Sequence, residues 1–227
     1  MKRRTILRIG LAGLLSGSLT KFSAAAGTTV TAEQALQKLK EGNQRYIAGM
    51  KTGGSGRSGE RRDQVAESQS PYAIILGCAD SRVAPEVLFD TGIGDLFVVR
   101  VAGNIVSNAN YGIMGSVEFG HLVLGAPLIV VLGHSSCGAV QGALDTIAKD
   151  GELPGSIEGV VDSIRPAARR SKGQPGDPLV NATRVNVQEG IKRLPRYSEI
   201  LQQSSASGKL KIVGGIYDLR SGAVEFL

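Results

Sequence analysis

The chain is poor in the residues that usually announce chemistry. Its 227 residues include two cysteines, two histidines and no tryptophan, and aromatics make up only 4%. Two cysteines exclude the dense disulfide framework of a small secreted domain. Scarce aromatics and the lack of any nucleic-acid motif argue against a base-stacking surface, so no nucleic-acid partner is expected. No apolar run is long and uninterrupted enough for a good membrane span, which needs about 20 such residues. Internal repeats, heptads and domain linkers are missing as well, so nothing divides the chain.

The N-terminus has a character of its own. Lys2, Arg3, Arg4 and Arg8 are basic, Ile9 to Leu19 is apolar and small, and Ala24-Ala25-Ala26 offers a small-residue cleavage site. Residues 1–26 are therefore expected to be an export signal, and Arg3-Arg4 resembles a twin-arginine motif, although Lys2 and Ile6 depart from its commonest form. An ordinary secretory signal with a fortuitous arginine pair is the alternative. Export to the periplasm, or to a photosynthetic lumen, leaves residues 27–227 as one domain without a stable membrane span. Removing Lys2, Arg3, Arg4, Arg8 and Lys21 leaves 21 basic against 20 acidic residues, a net charge of +1. The basic character belongs mainly to the signal, and a phosphate-binding surface is poorly supported.

What chemistry there is lies concentrated in two short segments. Cys78-Ala79-Asp80-Ser81-Arg82 and His134-Ser135-Ser136-Cys137 use both cysteines and one of the two histidines. In an oxidising compartment the cysteines could simply form a disulfide. Such a bond has no use for a histidine three positions before Cys137, or for Asp80 and Arg82 two and four positions after Cys78. Two thiolates and an imidazole suit zinc, and a catalytic zinc needs three protein ligands plus a position for water. Asp80 and Arg82 become candidates for controlling that position.

Hydrophobic patterning predicts an alternating α/β framework. Thr31 caps a helix running to about Tyr46 or Ile47, with Leu36 and Leu39 on one face. Gly49 to Gly59 reads as a loop, and Lys51-Thr52 lacks the glycine pattern of a nucleotide-binding loop. Tyr72–Gly77, Leu96–Val101, Leu128–Gly133 and Leu210–Ile216 are β-branched apolar runs that suit strands of a mostly parallel sheet buried on both faces. Gly112–Leu124, Gly138–Ala148, Ser156–Arg170 and Leu179–Leu194 read as helices, Pro195 as a break, and Gly222–Leu227 as a final strand. Cys78 and His134 then follow strands and share the carboxyl edge of the sheet, where ligands gather in open α/β folds. Cys137 starts the next helix, whose dipole favours its thiolate.

Cys78-Ala-Asp80-Ser-Arg82-Val, Gly94-Asp95-Leu-Phe97-Val-Val-Arg100, Ala102-Gly103-Asn104, Ser116-Val-Glu118-Phe119 and Gly133-His134-Ser-Ser-Cys137-Gly138 together resemble the β-class carbonic anhydrases. The similarity extends from about Glu33 to the C-terminus and covers nearly the whole chain after residue 26. It implies an α/β fold with a mostly parallel central sheet flanked by helices, and reversible hydration of carbon dioxide to bicarbonate and a proton by zinc-bound hydroxide. One zinc per chain would be held by Cys78, His134 and Cys137, with Asp80 and Arg82 as the catalytic dyad. Asp80 would orient the hydroxide while Arg82 keeps it ionised, or, released by Arg82, Asp80 would close the site as a fourth ligand. Gln69 matches a substrate-binding glutamine, Gly138 offers a backbone N–H to the same ligand, and Phe97, Ala102 and Phe119 match an apolar cleft. Phe119 stands where many relatives carry tyrosine. The resemblance also implies a homodimer or larger homo-oligomer, with the Thr31 helix embracing a partner.

The same zinc machinery would also suit carbon disulfide or carbonyl sulfide as substrate, and an exported disulfide-stabilised binding protein is the non-enzymatic alternative. His121, within an apolar helical stretch, is expected to pack or cap rather than to bind metal.

Overall fold

The computed structural model describes residues 27–50 and 55–227. The proposed export segment and Lys51-Thr52 lie outside them. Thr31 caps helix α1 (Ala32–Ile47): its side chain accepts from the Gln34 N–H while the Gln34 side chain accepts from the Thr31 N–H, a reciprocal capping box. A 3-10 turn at Ser55–Arg57 interrupts the loop expected over Gly49 to Gly59, and a short helix α2 (Gly59–Val65), capped by Ser58, begins at its end. Gly59 itself starts α2, so its flexibility sits at the helix boundary, where it costs least.

Five strands form one sheet in the order β2-β1-β3-β4-β5. β1 (Ala73–Gly77), β2 (Leu96–Arg100), β3 (Leu128–His134) and β4 (Lys211–Tyr217) are parallel neighbours, and β5 (Val224–Phe226) closes one edge antiparallel to β4. Every residue of β1 and β3 is buried, because both faces of the sheet are covered. Alternation along β1 sends Ile74 and Leu76 to one core and Ala73 and Ile75 to the other. The second core is completed by Ala35 and Leu39 of α1, with Leu88 and Phe89 at the end of the short helix α3 (Pro85–Leu88). The first is filled from α4 (Tyr111–Leu122), α5 (Gly138–Lys149), α6 (Ile157–Ser171), α7 (Pro178–Tyr197) and α8 (Glu199–Ala206).

The break expected at Pro195 falls later: α7 continues through it to Tyr197, and Ser198 then caps α8. Pro195 forfeits the bond its N–H would have made to the Ile191 carbonyl, but only two residues of α7 follow it, and the chain turns where Ser198 can cap the next helix. A Cβ added at Gly133 would meet Val187 Cγ2 at 2.6 Å, so this glycine lets α7 press against β3 immediately before His134. Among the described residues no helix is long and apolar enough to cross a membrane.

Candidate metal centre

Strand register brings the two motifs together. Gly77 of β1 pairs with Leu132 of the adjacent strand β3, so Cys78 and His134 leave the sheet side by side at its carboxyl edge. Cys137 is the N-cap residue of α5, reached by a tight loop in which Ser136 takes the left-handed conformation, φ 56°. The ligand atoms of Cys78, His134 and Cys137 lie within 4.8 Å of one another, and all three residues are buried. Both cysteines are free thiols, which removes the disulfide as the reason for their pairing.

The donor set fits a zinc ion. His134 Nδ1 lies 2.9 Å from the Ser135 carbonyl oxygen, which selects the tautomer that donates there and leaves Nε2 unprotonated. That Nε2 is fully buried and has no hydrogen-bond partner. An orphaned acceptor beside two sulfurs is costly in an empty core and well suited to a cation.

The sulfurs are not equivalent. A hydrogen bond from the Cys137 thiol draws the Cys78 thiol down against the effect of burial, with the backbone N–H groups of Asp80 and Gly103 assisting. The same pairing, together with burial, pushes Cys137 up despite the first-turn N–H groups of Ala139 and Val140. Burial beside a second sulfur therefore opposes ionisation of both thiols together. Two adjacent buried anions repel, even though backbone N–H groups reach both sulfurs, from Asp80 and Gly103 at Cys78 and from Ala139 and Val140 at Cys137. A dication between the sulfurs relieves that repulsion.

Asp80 stands at the mouth of the cluster with Oδ2 3.9 Å from His134 Nε2. Arg82 grips it in a fork: Nε donates to Oδ1 at 2.9 Å and Nη2 to Oδ2 at 2.7 Å, while the Arg82 backbone N–H adds a bond at 3.0 Å. Hydrogen bonding from Arg82 holds the Asp80 carboxyl well below the usual carboxylate range, so it is ionised at any working pH. Arg82 Nη2 also reaches the Ser136 carbonyl at 3.4 Å, tying the two motif loops together.

Two supports went unassigned in the reading of the sequence. Arg100, at the end of β2, donates from Nε to the Cys78 carbonyl at 3.0 Å and from Nη2 to the Asp80 carbonyl at 2.6 Å. Gly103 donates its N–H to Cys78 Sγ at 3.2 Å from a 3-10 turn at Ala102–Asn104. Both belong to motifs quoted for the family resemblance, but only the fold reveals what they touch.

The other expected site residues are more dispersed. Gly138 opens α5 beside Cys137, with open space where a Cβ would stand. Ala102 is exposed, one position before Gly103. Phe97 of β2 and Phe119 of α4 pack with ring centroids 6.3 Å apart, forming one apolar wall. Gln69 lies on the exposed segment preceding β1, and its side chain makes no hydrogen bond among the described residues. His121 sits near the end of α4 with Nδ1 2.9 Å from the Ala126 carbonyl, the capping role expected of it.

Comparison with known proteins places this geometry in context. The sequence model of the family described as carbonic anhydrase matches residues 73–224. Carbonic anhydrase 2 of Mycobacterium tuberculosis is 42% identical over 189 residues, covering 83% of this chain and 89% of that protein. A Coccomyxa β-carbonic anhydrase solved in complex with acetazolamide superposes with a TM-score of 0.67 at 30% identity, covering 85% of this chain and 86% of that one. A β-carbonic anhydrase from the ascomycete Sordaria macrospora, described as tetrameric, gives a TM-score of 0.65 at 25% identity over 74% of this chain and 90% of that one. With its metal-ligand set at the carboxyl edge of a mostly parallel sheet, the chain belongs to the carbonic anhydrase family, in its β class.

Proposed function

We propose that this protein catalyses the reversible hydration of carbon dioxide to bicarbonate and a proton, with one zinc ion per chain held by Cys78, His134 and Cys137. The observation that carries the proposal is the convergence of these buried ligands within 4.8 Å of one another, with the Arg82-bound Asp80 carboxylate at their mouth. Zinc bound there would lower the pKa of water to about 7 and so provide hydroxide at neutral pH.

The chain's own residues supply the rest. Ser135 fixes the His134 ring through its carbonyl. Asp80, ionised and gripped by Arg82, is the acceptor that orients the attacking hydroxyl group. Breaking the Arg82 fork would free Asp80 to turn toward the ligand cluster, closing the site. Gly138, at the start of α5, presents backbone to an anionic oxygen of bicarbonate, as helix N-termini do. Ala102, next to the Gly103 that donates to Cys78, provides apolar surface for carbon dioxide, while Gln69 and the Phe97–Phe119 pair, which stand toward the amino edge of the sheet away from the ligand cluster, would serve substrate only across a subunit interface.

A homo-oligomer agrees with the exposed apolar side chains along α4, where Tyr111, Phe119 and Leu122 face outward, and with the tetrameric description of the Sordaria relative. Export to the periplasm rests on the composition of residues 1–26 and is checked by sequencing the mature N-terminus.

Stopped-flow hydration assays on purified protein of measured zinc content test the activity. Asp80→Asn should keep its zinc yet lose about 100-fold or more in turnover, the scale of a positioned proton-handling group. Unchanged turnover removes Asp80 from the mechanism. Preference for carbonyl sulfide over carbon dioxide in competition would overturn the substrate.

A further inference from the structure

The geometry points to Asn186, on α7, as a positioning residue for the metal centre, acting through the Gly103 backbone on the Cys78 sulfur. This inference rests on the zinc reading of Cys78. Asn186 is only 4% exposed and lies on a helix face otherwise buried through Ala182, Val187, Gly190 and Leu194. An amide on such a face is costly unless it is paired. Its Nδ2 donates to the Gly103 carbonyl at 2.9 Å, and the Gly103 N–H in turn donates to Cys78 Sγ at 3.2 Å. Both bonds are buried.

Glycine is the residue with the least conformational restraint, and Gly103 sits at φ 70°, ψ 17° between them. Its N–H and carbonyl lie in the two peptide planes that meet at its Cα, so holding the carbonyl plane removes one source of freedom in where the N–H points. Neighbouring side chains limit the turn's position without orienting its hydrogen bonds, since the contacts nearest to a Cβ at this point, Ile164, Ala139 and Ile105, are all apolar. Asn186 is the side chain that donates to the Gly103 carbonyl, and it comes from an element 83 positions away in sequence. A purely structural role would satisfy that carbonyl and stop there. The positioning role predicts that the perturbation reaches the metal–sulfur bond.

The test loads the full chain with 113Cd, Co(II) or Zn(II). In wild type, the Gly103 amide proton should show scalar coupling to 113Cd through the N–H···S–Cd path. In Asn186→Leu that coupling should vanish, the thiolate-to-cobalt charge-transfer band should move, and zinc affinity by chelator competition should fall about 10- to 100-fold, as for other partners that orient metal ligands. Asn186→Ala, which cannot overpack the site, reads the same way if the leucine variant does not fold. Leu194→Ala, a deeply buried control two turns along α7, should lower thermal stability without moving the band. A cadmium-loaded wild type without the coupling, or a folded Asn186 variant that retains coupling, band and affinity, overturns the inference while leaving the metal reading intact. Failure of wild type to bind one metal ion overturns both.

Discussion

Replacing Gly103 by alanine probes the junction between backbone conformation, core packing and the metal centre. The residue sits in the left-handed region at φ 70°, where an L side chain costs about 1–2 kcal/mol. An added Cβ would stand 2.5 Å from Ile164 Cδ1 and 3.1 Å from Ala139 Cβ. The isoleucine tip can yield slightly, but Ile164 is itself fully buried and Ala139 belongs to the first turn of α5. Overpacking of this kind costs about 1–3 kcal/mol. Reduced freedom of the unfolded chain returns roughly 0.4–1 kcal/mol. The net expectation is a loss of about 3 kcal/mol. For a chain of this size that corresponds to a fall of roughly 6–12 °C in Tm, measured calorimetrically on metal-free protein so that ligand binding does not contribute. Because the same residue donates to Cys78 Sγ at 3.2 Å, zinc affinity should fall as well. A metal-free Tm indistinguishable from wild type would refute the reasoning, since it would mean that the turn relaxes at no cost. A lowered Tm with unchanged zinc affinity would refute only the connection to the sulfur.

Arg82→Ala removes both arms of the fork on Asp80 and should lower kcat/KM about 10- to 100-fold at full zinc occupancy. Arg82→Lys, able to place a point charge but not the fork, should fall between alanine and wild type in the same stopped-flow assay. At the far edge of the sheet, Arg184 of α7 grips Glu225 of β5 through bonds of 3.0 and 2.7 Å, and this pairing depresses the Glu225 carboxyl. A depressed carboxyl contributes stability above its unfolded pKa, about 4.3, and loses it as pH falls through the folded value. Denaturant titrations should therefore show Glu225→Gln less stable than wild type by at most about 1 kcal/mol at pH 7, with the gap closing below pH 4. A gap that persists there would assign the effect to packing.

The primary sequence determined those features that depend on local chemistry and short-range periodicity. Runs such as Ile74-Ile75-Leu76 and Leu128 to Leu132 can hardly be anything but strands buried on both faces, and the Thr31 cap marks the start of α1 within one residue. The metal-ligand set was legible too, because Cys78 stands beside Asp80 and Arg82 and His134 three positions before Cys137, in a chain with two cysteines and two histidines in all. Short elements such as α2 and α3 escaped notice, since a helix of one or two turns carries too little periodicity to read. Pro195 misled for a related reason: its effect depends on its distance from the helix end, which tertiary packing sets.

Only the fold decided that the two sulfurs meet in one buried cluster where N–H groups converge on Cys78 from Asp80 and Gly103. Only the fold, too, could show Arg100 bracing the Cys78 and Asp80 carbonyls, and Asn186 reaching Gly103 from α7. Residues that bind metal declare themselves by element-specific chemistry. Those that hold the ligands in place do so through ordinary hydrogen bonds to backbone atoms distant in sequence, and such bonds have no signature until the chain is folded.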